Sequence, residues 1–352
     1  MAYTTIDDPS AHFKVQKYTG NYSDAHAITF DDTDTDMQPD LVVAKQTDGA
    51  DAWYCSDAVR GVTKSLYWDV STAEETIAEG IQAFGSDGFT VGQTNAINQS
   101  SAANVAYCWK AGGGSGSSNE DGSINTTSTS VNTTSKCSIS TYTGTGSTAT
   151  VGHGIGVTPS LIITKSRGGG FQWAVYHHKV ASDPETDYLY LDTTAAATDD
   201  INVWNDTAPT STVFTVETSN RTNASSGTYV AYVWADVQGF SKFGSYTGNG
   251  DNDGAFVYTG FRPAMVIYKK SSGTENWFIH DNKRQGYNPD NEYLFPDLSN
   301  AEGTVNRIDL LSNGFKATTS DGGINASGAT YIYMAFAEAP FVNSNGVPCN
   351  AR

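Results

Sequence analysis

One set of landmarks occurs three times along the chain, and the distances between them change so little that they predict three copies of one unit. Tyr-Thr-Gly begins at Tyr18, Tyr142 and Tyr246. A proline then opens an apolar run that ends in lysine: Pro39 to Lys45, Pro159 to Lys165 and Pro263 to Lys269. A tryptophan follows each proline at 14 positions, as Trp53, Trp173 and Trp277. Phe89, Phe214 and Phe315 precede the closing aromatics Trp109, Trp234 and Phe336 by 20, 20 and 21 positions. Only the interval from tryptophan to phenylalanine drifts, at 36, 41 and 38, as a surface loop would.

The residues between the landmarks favour strands and turns. Nineteen Tyr, 15 Phe and 7 Trp supply much of the bulky apolar volume, and Gly (35 residues), Thr and Ser are dense. Ser71 to Ala83 is the nearest helical candidate, but it lacks an apolar stripe at helical spacing. Alternation in Val230-Ala231-Tyr232-Val233-Trp234 puts bulky and small residues on opposite faces, as in a packed sandwich. Proline at the strand entrance suits an edge or first strand. Asn98, Asn223 and Asn325 each head a turn whose amide can bond its own backbone, which reads as a hairpin feeding the last strand. The predicted fold is all-β: three tandem jelly-roll-like β-sandwich repeats, each of about 100 residues. The expected boundaries are an N-terminal arm at 1–11, repeats at 12–111, 136–240 and 241–341, a flexible Gly/Ser/Thr-rich linker at 112–135, and a C-terminal tail at 342–352.

Acidic residues number 38 against 20 basic, a net charge of −18, which repels phosphate backbones and anionic lipid and so argues against nucleic acid and membrane insertion. Met1 to Phe13 has neither the charged nor the apolar region of a signal peptide. Cys55, Cys108, Cys137 and Cys349 show no metal spacing. Cys55 and Cys108 fall in one repeat and could pair, although buried thiols are the reading carried forward.

Several constellations raise chemistry. Trp53 with Asp57 and Arg60, Trp173 with His177 and His178, and Trp277 with Asp281 and Arg284 combine a stacking ring with polar groups that could hold sugar hydroxyls. Because these tryptophans are as fixed in spacing as the core prolines, packing is the stronger reading. Asp183, Glu185 and Asp187 alternate like the acids of a glycanase, but Pro184 interrupts the strand and neither other repeat has the pattern. Asp32, Asp34 and Asp36, and the turn Asn249 to Gly254, are acidic loops without the closing glutamate of a calcium site. No catalytic residue, metal site or cofactor is expected, calcium being the one ion such turns could take.

Five segments look familiar: Asp8-Pro9-Ser10 with Tyr18-Thr19-Gly20; Asp57-Ala58-Val59-Arg60-Gly61; Tyr107-Cys108-Trp109-Lys110-Ala111-Gly112-Gly113-Gly114; Gly152-His153-Gly154; and Gly346-Val347-Pro348-Cys349-Asn350-Ala351-Arg352. They resemble a family of β-rich repeat proteins of tailed bacteriophages, notably marine ones, across nearly the whole chain. The resemblance implies a non-enzymatic virion structural protein on the particle exterior, as tail fibre, tail-associated protein or head decoration. Its expected partners are other virion proteins and copies of itself, with assembly in the host cytoplasm. The alternative is an adhesin that binds host-surface polysaccharide; a glycan depolymerase ranks third.

Overall fold

The strand-favouring residues form strands almost throughout. The computed structural model, which describes residues 3–30, 35–285 and 287–349, is 42% strand and 3% helix. The first unit holds β1 (Phe13–Thr19), β2 (His26–Thr29), β3 (Leu41–Gln46), β4 (Tyr54–Asp57), β5 (Lys64–Tyr67), β6 (Glu75–Thr76), β7 (Ile81–Gly85), β8 (Gly88–Val91), helix α1 (Asn95–Asn98) and β9 (Ala103–Trp109). The second holds β10 (Ser128–Asn132), β11 (Cys137–Thr143), β12 (Ala149–Gly152), β13 (Leu161–Ser166), β14 (Ala174–His177), β15 (Asp187–Tyr190), β16 (Thr198–Asp199), α2 (Ile201–Trp204), β17 (Val213–Val216) and β18 (Thr228–Trp234). The third holds β19 (Ser241–Thr247), β20 (Phe256–Tyr258), β21 (Phe261–Lys270), β22 (Trp277–Asp281), β23 (Asp290–Tyr293), β24 (Gly303–Leu311), β25 (Gly314–Ala317) and β26 (Thr330–Pro340).

Each unit is a sandwich of two antiparallel sheets. In the larger sheets the closing strand lies between the first strand and the proline-led strand, and one register recurs. Trp109 sits opposite Phe13 and Leu41, Trp234 opposite Cys137 and Leu161, and Phe336 opposite Ser241 and Met265. The smaller sheets are β2-β8-β7, β12-β17 and β20-β25-β24-β23. There the landmark phenylalanines face an aliphatic residue: Ile28 opposite Phe89, Val151 opposite Phe214 and Val257 opposite Phe315.

Alternation along the closing strands sends side chains to two different cores. Cys108, Val233 and Ala335 face private cores between the two sheets of their own units. Val105, Tyr107, Trp109, Val230, Tyr232, Trp234, Ile332, Met334 and Phe336 instead enter one common core, together with Trp53, Trp173 and Trp277. The larger sheets therefore turn their second faces toward one another. Trp109 packs 5.9 Å from Trp234 and 5.8 Å from Phe336, ring to ring. The expected tandem array of sandwiches is in fact a closed cluster, because a sheet apolar on both faces must bury both.

Four local expectations change for physical reasons. The proline-led strands are interior, and Pro39 and Pro159 precede them, while Pro263 occupies an irregularity in β21 that removes the need for its N–H. The last strand is fed by a crossover from the small sheet rather than a hairpin. The amides of Asn98, Asn223 and Asn325 reach across to the loop after Tyr-Thr-Gly instead of bonding their own turn. Each Oδ1 accepts a backbone N–H there, from Asn21 (3.0 Å), Thr145 (2.7 Å) and Asn249 (2.9 Å). The left-handed residues come three positions later, at Ser101, Ser226 and Gly328.

The glycine-rich linker is held by its own chain. The Asp40 carboxylate accepts the N–H groups of Ala111, Gly113 and Gly114, each at 2.8 Å, β10 adds a strand beside β11, and Ile124 bridges Val151 on the outer edge of β12. Cys55, Cys108 and Cys137 are buried thiols and Cys349 is exposed. Cys55 faces the common core and Cys108 a private one, so the sheet itself lies between them. Asp32 and Asp34 lie outside the described residues.

Because the three units share one core, heat should unfold the chain in a single calorimetric transition; three resolved transitions would contradict a shared core. Residues 136–240 expressed alone should remain unfolded by near-ultraviolet circular dichroism. Trp173→Ala should lower the stability of the whole chain by about 3–5 kcal/mol in denaturant titrations.

Candidate functional site

The residues singled out from the sequence converge on the seams between units. A buried indole N–H is stabilised by an acceptor, and each of the three landmark tryptophans finds one in a neighbouring unit. Trp53 Nε1 donates to Phe295 O at 2.8 Å, Trp173 Nε1 to Tyr67 O at 2.9 Å, and Trp277 Nε1 to Tyr190 O at 2.8 Å. The three bonds form a ring, from the first unit to the third, the third to the second, and the second to the first. Within its own unit each tryptophan's backbone N–H donates to the aspartate two residues beyond that unit's acceptor position: Asp69 at 3.0 Å, Asp192 at 3.1 Å and Asp297 at 3.0 Å. Burial raises these carboxyls, Asp192 to about 6 and Asp297 to about 7.

The lysines ending the proline-led strands complete this framework. Lys45, Lys165 and Lys269 are buried, and burial lowers each ammonium to about 8. Each turns back on the loop that leads to the tryptophan: Lys45 donates to Gly49 O at 2.8 Å and Lys165 to Phe171 O at 2.7 Å, while Lys269 reaches Gly273 O at 3.3 Å. Lys165 also donates to Ser71 O of the first unit at 2.9 Å.

The acid and arginine pairs close two of the three seams. Asp57 binds Arg60 Nε at 2.5 Å, caps the N–H groups of Val59 and Arg60, and receives Tyr232 Oη from the second unit at 2.7 Å. Asp281 does the same with Arg284 Nε at 2.6 Å and with Tyr107 Oη from the first unit at 2.8 Å. Burial works against the Asp281 carboxylate, but Arg284 outweighs it and holds the group below its ordinary range. The outer nitrogens of Arg60 and Arg284 reach Glu74 at 3.1 Å and Glu302 at 3.4 Å.

At the seam between the second and third units the same positions have all changed together. His177 replaces the aspartate, Val180 the arginine, Ala197 the glutamate, and Met334 the partner tyrosine. The alignment is set by backbone bonds that occur once per seam: Glu74 N to Arg167 O, Ala197 N to Ser271 O and Glu302 N to Thr47 O. His177 Nδ1 accepts Lys179 N at 3.1 Å, as the carboxylates accept the equivalent N–H, and its Nε2 lies 3.1 Å from Tyr333 O. Burial lowers the imidazole to about 3, so it is neutral. His178, half-buried, contacts Phe243 O through Nε2 at 2.9 Å. A charged triad and an apolar set thus fill equivalent space, and a mixture would leave a buried charge unpaired.

The structure therefore brings together eight of the nine candidate ligand residues as buried seam contacts, with His178 at their margin, and leaves no tryptophan face for a sugar. Asp183, Glu185 and Asp187 lie on the turn entering β15, apart from these seams. Among the described residues no three His, Cys, Asp or Glu side chains are grouped to hold a metal ion. Asp253 of the acidic turn pairs with Lys316, and Asn325 Nδ2 donates to Asp251 O at 2.7 Å. Sequence reasoning missed Asp69, Asp192, Asp297, Tyr107 and Tyr232. The signal was available in the paired absence of tyrosine at Met334 and of arginine at Val180.

Such a molecule belongs to a class of all-β proteins in which several sandwich units are interlocked through one core and the recurring polar groups bond one unit to the next. The chain belongs to the family described as a domain of unknown function, DUF7483, whose model matches residues 8–340. That span runs from the turn before β1 to the end of β26, so one family model covers all three units. No curated protein matches the sequence.

Arg60→Val alone should cost about 3–5 kcal/mol, because Asp57 would be left buried without its partner. Adding Asp57→His, Glu74→Ala and Tyr232→Met, which copies the third seam, should recover most of the loss in urea titrations. A histidine neutral in the fold contributes its stability fully above pH 6.5 and loses it as the pH falls toward about 3. Asp192 and Asp297, being raised, run the opposite way in that window. The test is therefore a difference: His177→Gln should lose less stability than the parent between pH 6.5 and 4.

Proposed function

We propose that this protein is a non-enzymatic structural component of the exterior of a tailed-phage particle, working beside copies of itself and other virion proteins. The observation that carries the reading is how its polar groups are used. The recurring Trp, Asp, Arg, His and Lys side chains are spent on holding three units together, which suits a building block exposed to shear and proteases. The acidic composition keeps such a block soluble at high local concentration. The sequence resemblance to phage β-repeat proteins supplies the particle. The loops between each tryptophan and phenylalanine, whose lengths differ, are the natural places for contacts specific to one host or one neighbour.

The adhesin alternative loses its tryptophan platforms to the core, so it requires another surface. The depolymerase alternative rests on the turn at Asp183 to Asp187, whose acid pattern neither other unit has.

Mass spectrometry of gradient-purified particles should detect this chain at many copies per particle. Its absence from intact particles, with presence in the infected-cell lysate, would refute the structural role.

A further inference from the structure

The small sheets supply an internal comparison, because the aliphatic residue opposite each landmark phenylalanine fixes which residues beside it point outward. In the first unit these are Ala27 and Thr29; in the second the equivalent Thr150 and Gly152 lie beneath the linker, Ser123 bonding Thr150 and the Asn119 side chain covering Gly152. In the third they are Phe256 and Tyr258, exposed by 48% and 53%. Two aromatic rings on solvent, where the uncovered equivalents in the first unit are alanine and threonine, are not required by the packing of the sheet.

Tyr258 lines a cavity of about 330 Å³ together with Tyr3, Asp236, Gln238, Lys242 and Gly260. That volume is in the range of small-ligand sites, roughly 300–1,000 Å³. Its polar groups are mixed: Lys242 Nζ donates to Asp236 Oδ2 at 2.5 Å, the Tyr3 and Tyr258 hydroxyls lie 3.2 Å apart, and Tyr3 Oη donates to Gly260 O at 2.8 Å. Gln238 is exposed, so both donor and acceptor of its amide are open to a ligand. Neighbouring acceptors and donors around one flat ring suit a pyranose, whose C–H face stacks on an aromatic while its hydroxyls both give and accept hydrogen bonds. The ammonium is already paired with a carboxylate, and the protein as a whole is acidic, so the match is to a neutral sugar rather than an anionic one.

We infer that the groove between Tyr258, Gln238 and the Asp236–Lys242 pair is a binding site for a neutral pyranose residue of a glycan. The site does not depend on the particle role proposed above, and it is built where the N-terminal segment and the connection after β18 meet the third unit.

Saturation-transfer NMR with the methyl glycosides of glucose, galactose, mannose and N-acetylglucosamine tests it on the full chain. At least one glycoside should receive saturation at its ring C–H protons. Tyr258→Ala should weaken that binding roughly tenfold, and Tyr258→Phe, which keeps the stacking face, should retain it within about threefold. Gln238→Ala should weaken it as well, and the exposed position leaves folding intact. No transfer to any of the four glycosides would overturn the inference, as would binding unchanged in Tyr258→Ala or lost equally in Tyr258→Phe.

Discussion

The indole N–H groups of Trp53, Trp173 and Trp277 are taken out of water, and each finds its acceptor in another unit. That exchange makes the three units incomplete apart. The apolar faces meeting at the axis would favour association in any orientation, since hydrophobic burial is non-directional. The ring of indole bonds and the three backbone bonds between loops and strand ends select one orientation from the many that burial would permit.

The second lesson is how repeated units diverge. Positions that serve their own unit, or that reach a neighbour only through its backbone, have kept their residue type: the proline, the lysine, the tryptophan and the phenylalanine. Positions whose side chains meet side chains of another unit vary, but only in concert. Met334 lies far along the chain from His177, Val180 and Ala197, and each of the four would be a defect among the Asp, Arg, Glu and Tyr of the other seams. Together they exchange one satisfied arrangement for another, with the imidazole Nδ1 taking over the turn-capping bond that the carboxylates make elsewhere. The coupling of distant substitutions follows from the cost of leaving a buried charge or hydroxyl unpaired.

Strand content, the unit landmarks and the burial of the tryptophans were legible because they rest on local period and fixed spacing. The closure of the units around a common core was not, although its trace was present. Strands such as Leu41–Val43 and Leu161–Ile163 are apolar at consecutive positions, which marks a sheet covered on both faces, and a lone sandwich does not need that. The reach of Asn98 to the loop at Asn21 was hidden for a different reason. An asparagine at a turn reads as a local cap, and only the approach of two loops distant in sequence shows which backbone it bonds. The groove at Tyr258 was equally silent, because an aromatic in a three-residue strand reads as core until the register reveals its outward face.

Closure of the ring also bears on time rather than on equilibrium. In an open row, an end unit can detach by breaking a single seam, and stability would fray inward from the termini. Here any unit that leaves must break two seams at once and uncover part of a core that the other two still need. The route to the unfolded chain therefore lacks a cheap first step, and a molecule arranged in this way can persist for long periods without an unusually deep free-energy minimum.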